Sequence, residues 1–119
     1  MELKYLWDTN TVIYYLQNHV PPAREQLMDD IINNYKPAIS VITEIELLCW
    51  RSATDNDLTI LKKFIADATV FELDQNIKSE VISIRKQFNL KLPDAVIAAT
   101  ALKNGYTLIS HNYKDFKKD

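Results

Sequence analysis

Glycine is almost absent from this sequence: Gly105 is the only one in 119 residues. Phosphate-cradling GxGxxG turns and Walker-type loops need several glycines where the backbone approaches the phosphate, so neither can form here. A Gly-x-Ser-x-Gly nucleophile elbow is excluded on the same ground. Cysteine is equally scarce. Cys49 stands alone, which leaves no disulfide framework and no thiolate metal site, and fits a reducing cytosol. No apolar run reaches the ~18 residues of a membrane span. Met1-Glu2-Leu3-Lys4 lacks the flanks of a signal peptide. The expectation is a cytoplasmic protein with no membrane partner. An excess of basic charge is missing too, since the net charge is -2, so nothing global advertises nucleic-acid binding. Two local groups remain, Arg85, Lys86 and Lys91, and Lys114, Lys117 and Lys118. Such groups are ordinarily solvated faces, with phosphate contact as the alternative.

What the chain does contain is apolar pattern. At 47% hydrophobic and 25% charged, residues 1–119 are expected to form a single domain with its own core. An apolar strand over about 3 to 7 ends abruptly in Asp8, and a helical pattern follows from about 9 to 17. Pro21-Pro22 breaks it. A second helix carries Leu27, Ile31 and Tyr35 on one face, with Met28 and Ile32 beside them. Ala38-Ile39-Ser40-Val41 reads as a second strand, about 43 to 51 as a third helix, and Ser52 to Asp57 as a turn. Leu58, Leu61 and Ile65 stripe a fourth helix. Thr69 to Leu73 forms a third strand, and Asp74 caps a fifth helix on which Ile77, Val81, Ile84 and Phe88 recur. Pro93-Asp94 opens a sixth helix rich in alanine, Asn104-Gly105 stops it, and Thr107 to Ser110 is a fourth strand. Strands separated by helices imply a parallel sheet covered on both faces.

Acids fall at the ends of these elements, and each has a plain structural alternative. Asp8 can cap the first helix, worth ~1 kcal/mol. Glu46 can be the returning residue of a Thr43-Glu44-Ile45-Glu46 capping box. Glu44 lies on another helix face and reads as solvated. Asp94, in a first helical turn, suits the helix dipole. Asp115 alone, in a polar tail, attracts no notice. Their joint placement is what points to chemistry. In open α/β sheets ligands bind beyond the carboxyl ends of the strands. Mg²⁺ and Mn²⁺ prefer carboxylate oxygens and retain waters, so a few convergent acids suffice. A bound ion relieves the mutual repulsion of such acids and can activate a water against a phosphodiester.

Four stretches carry a resemblance. Tyr5-Leu6-Trp7-Asp8-Thr9-Asn10, Ile39 through Glu46-Leu47, Leu92-Pro93-Asp94-Ala95-Val96-Ile97-Ala98-Ala99-Thr100-Ala101, and Leu108-Ile109-Ser110-His111-Asn112 through Asp115-Phe116 resemble, in order, the motifs of PIN-domain ribonucleases, most of all the VapC-type toxins of bacterial toxin–antitoxin pairs. The resemblance implies a three-layer α/β/α sandwich around a short parallel sheet of four or five strands. It also implies Mg²⁺- or Mn²⁺-dependent hydrolysis of RNA, homodimerisation, and inhibition by a cognate antitoxin. On that basis Asp8, Glu46 and Asp94 are the expected metal ligands, and Glu46 is preferred to Glu44 because it directly precedes Leu47. Asn112 and Asp115 share the fourth acidic position, Asn112 standing where many members have Asp. Thr9, Asn10 and Ser110 are expected to support the site, and Tyr14, Tyr15 and Tyr113 are candidates for stacking on bases, with core packing as the alternative.

Three rival readings compete. A receiver-like phosphoacceptor switch, with Asp74 as acceptor, needs an acidic pair after the first strand, yet Asp8 is followed by Thr9 and Asn10. A metal-free nuclease would use His19 and His111 as acid and base. A catalytically degenerate PIN fold would only bind RNA or a protein.

Overall fold

The computed structural model describes residues 4–17 and 22–110. In chain order it runs β1 (Tyr5–Trp7), α1 (Thr9–Leu16), α2 (Pro22–Asn34), β2 (Ala38–Ser40), α3 (Val41–Leu48), α4 (Asp55–Asp67), β3 (Thr69–Phe71), α5 (Gln75–Gln87), α6 (Leu92–Asn104) and β4 (Thr107–Ile109). The four strands form one parallel sheet in the order β3-β2-β1-β4. Leu6 lies opposite Ala38 on one side and Leu108 on the other, so β1 is central. A fifth strand after β4 would lie outside the described residues.

The period of two along each strand explains why both faces of the sheet are covered. Trp7, Ile39, Val70 and Ile109 point into one core, with Val12 of α1, Met28 and Ile31 of α2, Leu47 of α3, and Leu61 and Phe64 of α4. Their neighbours Leu6, Ala38, Phe71 and Leu108 point the other way, onto Ile97 and Ala101 of α6. Beneath α6, α5 contributes Ile77, Val81 and Ile84 against Ala95, Val96 and Ala99. Alanines at those positions let the two helices approach closely. Each fully buried large apolar side chain contributes about 1.5–3 kcal/mol. No described helix is long and apolar enough to cross a membrane.

Most helix starts follow the sequence pattern, with informative differences. Asp74 caps α5 through the Ile77 amide as expected. On α2 the buried residues are Met28 and Ile31, while Leu27 is exposed, so the apolar stripe is rotated from the one expected. The turn expected to end at Asp57 is shorter, because Thr54 and Asp57 form a capping box that starts α4 at Asp55. The third helix also begins early. Ser40, the last residue of β2, accepts from the Ile42 amide and caps α3 directly. The capping box that was the structural alternative for Thr43 and Glu46 therefore does not form. Thr43 lies inside the helix and is buried, and both residues are released for other contacts.

Gly105 ends α6 in the left-handed region, at φ 70°. Nothing lies within 4 Å of where a Cβ would stand, so any penalty for a side chain is purely conformational. Gly105→Ala is expected to destabilise the protein by about 1 kcal/mol, a few degrees in Tm by thermal denaturation.

Candidate active site

From β1 the sheet grows towards β2 and β3 on one side and towards β4 on the other. This is a switch point, the place where an open α/β sheet leaves a crevice beyond its carboxyl ends. Asp8 is the first residue past β1, and Ser110 the first past β4. Their backbones are tied together, since the Asp8 amide donates to the Ile109 carbonyl at 3.1 Å. The Thr11 hydroxyl donates to the same carbonyl at 3.2 Å.

Asp8 is buried, and both of its carboxylate oxygens are engaged. Oδ1 accepts from the Thr11 amide at 2.8 Å, which makes Asp8 the N-cap of α1. Oδ2 accepts from the Ser110 hydroxyl at 2.5 Å. The cap and the crevice thus use one side chain, and the plain structural reading of Asp8 holds alongside any chemical one.

Glu46 is fixed from the other side of the crevice. The Thr9 hydroxyl donates to Glu46 Oε1 at 2.6 Å and lies 3.1 Å from the Thr43 hydroxyl. Thr9 has one hydroxyl proton, and the short contact with a carboxylate takes it, so Thr43 is the donor in the second contact. The chain Thr43–Thr9–Glu46 joins the starts of α1 and α3. Thr43 was not foreseen as part of the site, because its sequence signal is that of a helix cap. The spacing of three residues to Glu46, which places both on one helix face, was the clue.

Asp94 sits in the first turn of α6, after Pro93, one turn before Ile97 on the same face. Asp8, Thr9, Asn10, Glu46, Asp94 and Ile97 line one cavity of about 210 Å³. Three of the sequence-predicted acids therefore meet in one place, from positions 38 and 48 residues apart along the chain. Glu44 does not line it. Asn112, Asp115, Tyr113, His19 and His111 lie outside the described residues. Among the described residues no group of three or more His, Cys, Asp or Glu is arranged closely enough to hold a metal ion. The cavity's lining offers carboxylate, hydroxyl and amide oxygens and neither thiolate nor imidazole, the donor set of a hard cation and not of a structural zinc site.

The tyrosines behave differently from one another. Tyr15 packs edge-on against Trp7, with ring centroids 5.4 Å apart, and its hydroxyl donates to Asp29. Burial first, then the Asp29 hydrogen bond and charge, raise its pKa well above the usual tyrosine value. Tyr15 is thus a half-buried residue packed against the core, and of this pair Tyr14 is the exposed one.

Comparison with known proteins bears on the same geometry. The tRNA(fMet)-specific endonuclease VapC of Salmonella typhimurium is 27% identical over 98% of this chain and 92% of its own. A toxin–antitoxin complex from Klebsiella pneumoniae superposes with a TM-score of 0.75 at 26% identity, covering 95% of this chain and 90% of that one. DNA-bound VapBC from Salmonella typhimurium gives a TM-score of 0.78 at 25% identity, covering 98% and 92%. Residues 5–118 match the PIN domain family, and the chain belongs to that family.

Proposed function

We propose that this chain, as one PIN-like domain over residues 1–119, is a Mg²⁺- or Mn²⁺-dependent endoribonuclease and the toxin of a toxin–antitoxin pair. The observation that carries the reading is the shared cavity of Asp8, Glu46 and Asp94. Asp8, Glu46 and Asp94 would hold the metal. Asn112 and Asp115 complete the proposed catalytic set by orienting water or a second ion. When bound, a divalent ion lowers the pKa of a water and offsets charge on the phosphodiester.

The chain's own contribution is pre-orientation. Asp8 is locked between the Thr11 amide and the Ser110 hydroxyl, and Glu46 by Thr9. Neither carboxylate must give up side-chain freedom when a ligand arrives. Asn10 adds a polar group to the wall that a phosphate oxygen can reach. In the hydrolysis itself, water adds to phosphorus, the bond from phosphorus to the leaving oxygen breaks, and that oxygen takes a proton. The proposed partners are an RNA substrate, a cognate antitoxin and a second copy of the chain, in the cytoplasm. The names of the relatives support the first two and make tRNA the substrate to try first.

The test is cleavage of unfractionated tRNA by the purified protein in Mg²⁺, in Mn²⁺ and in EDTA. Cutting is expected with either metal and none in EDTA. Undiminished cutting in EDTA would support the histidine mechanism instead. Failure to cut under any condition, with tRNA binding retained, would support the degenerate fold.

A further inference from the structure

Arg85, Asn89, Leu90, Lys91 and Leu92 line a second, polar cavity of about 550 Å³, where the end of α5 meets the start of α6. Arg85 is easily explained without a ligand, since a cation in the last turn of α5 suits the helix dipole. Lys91 is not. It occupies the N-cap of α6 and makes no side-chain capping bond. A cation there faces the positive end of the helix dipole, and the position forgoes the ~1 kcal/mol that Ser, Thr, Asp or Asn would supply. Both side chains are exposed. Among the described residues, the ion pair recorded is Lys103 with Glu80, and neither Arg85 nor Lys91 has an acidic partner. Two cations, an amide side chain and a helix N-terminus thus converge on a cavity in a protein whose net charge is -2.

The position relative to the acids gives this cavity a use. Asp94 and Ile97, three residues apart, form one stripe of α6, and Lys91, the extended N-cap residue, precedes Asp94 by the same spacing. Asp94 and Ile97 line the acid cavity, and Lys91 lies just ahead of that stripe, at the helix N-terminus. A strand whose scissile phosphate lies among the acids would therefore carry a neighbouring phosphate past Lys91 and Arg85.

We infer that the Arg85–Lys91 cavity is a phosphate-binding subsite that anchors the RNA strand beside the scissile bond. The inference rests on the ribonuclease reading above and deepens it. It gives the basic cluster a role in holding substrate, with no contact to the reacting atoms. The two cations neutralise backbone charge, so their contribution depends on salt and is insensitive to base sequence.

The test uses unfractionated tRNA as probe, with binding to the full chain measured in EDTA over a salt series and kinetics measured with Mg²⁺. For R85Q/K91Q the expected result is binding about tenfold weaker at low salt, with the slope of log affinity against log salt shallower by about 1.5 to 2. KM should rise similarly while kcat stays within about twofold. R85K/K91R should restore binding. K62Q/K63Q, which removes the same charge from exposed positions on α4 across the sheet, should change neither quantity. Wild-type affinity and slope in R85Q/K91Q, or equal losses in K62Q/K63Q, would overturn the subsite while leaving the nuclease intact. A wild type that neither binds nor cuts tRNA would overturn the ribonuclease reading, and the subsite with it.

Discussion

Asp8→Asn is expected to lower RNA cleavage by about a thousandfold, equivalent to ~4 kcal/mol, while leaving the Tm of the metal-free protein unchanged or slightly raised. The geometry separates the two roles of this side chain. The cap depends on Oδ1, which accepts from the Thr11 amide, and an Asn side chain offers the same oxygen in the same place. The Ser110 hydroxyl that donates to Oδ2 can turn to accept from an Asn amide. What the substitution removes is charge. In the absence of metal that loss relieves repulsion towards Glu46 and Asp94, and with metal it removes a ligand anion. Asp8→Ala, by contrast, deletes the cap and leaves the Thr11 amide without its acceptor, at a cost of about 1–3 kcal/mol. Thermal melts of both variants in EDTA, set beside tRNA cleavage in Mg²⁺, make the comparison. Full activity in Asp8→Asn would remove Asp8 from the chemistry and leave it a helix cap only. A drop of several degrees for Asp8→Asn would show that its charge stabilises the fold.

The site was more legible in the sequence than the helix starts that build it. Strands that stop abruptly at an acid, and an acid after proline in a first helical turn, are local signals. Asp8 and Asp94 could be singled out because each stands at such a boundary, whereas Glu46, well inside α3, was singled out only through the family resemblance, as the acid that directly precedes Leu47. The start of α3 could not be read, because Ser40 and Thr43 are both good cap residues and the pattern does not say which is used. The strand decides it. Ala38 and Ile39 are committed to opposite faces of the sheet, so the chain leaves β2 at Ser40 and the helix begins at once. Thr43 is thereby drawn into the helix and turned towards Thr9, a contact between residues 34 apart that no local window contains. The face of α2 was misread for a related reason. Leu27 and Met28 fit the helical period equally well, and only packing beneath Trp7 and Phe64 selects Met28.

Glu46→Gln is expected to reduce cleavage on the order of a hundredfold, about 2.7 kcal/mol, whereas Glu44→Gln should stay within about threefold of wild type. Two residues apart on a helix means different faces, roughly 200° apart. Glu46 turns into the cavity it shares with Asp8 and Asp94, and Glu44 does not. The Thr9 hydroxyl, itself receiving a hydrogen bond from Thr43, holds Glu46 in place. A Gln side chain can still accept from Thr9, so the Thr43–Thr9 chain survives and the fold should be untouched. The missing negative charge is the whole of the change. The loss should therefore track metal: raising Mg²⁺ or Mn²⁺ concentration should recover part of the activity of Glu46→Gln and none of that lost through a misfolded site. Measured over a metal titration, a Glu44→Gln variant more damaged than Glu46→Gln would mean that the second acidic motif is read one register off, and that the carboxylate serving the metal faces away from this cavity. Equal, small effects for both would leave Asp8 and Asp94 as the anionic pair, with Glu46 reduced to anchoring Thr9.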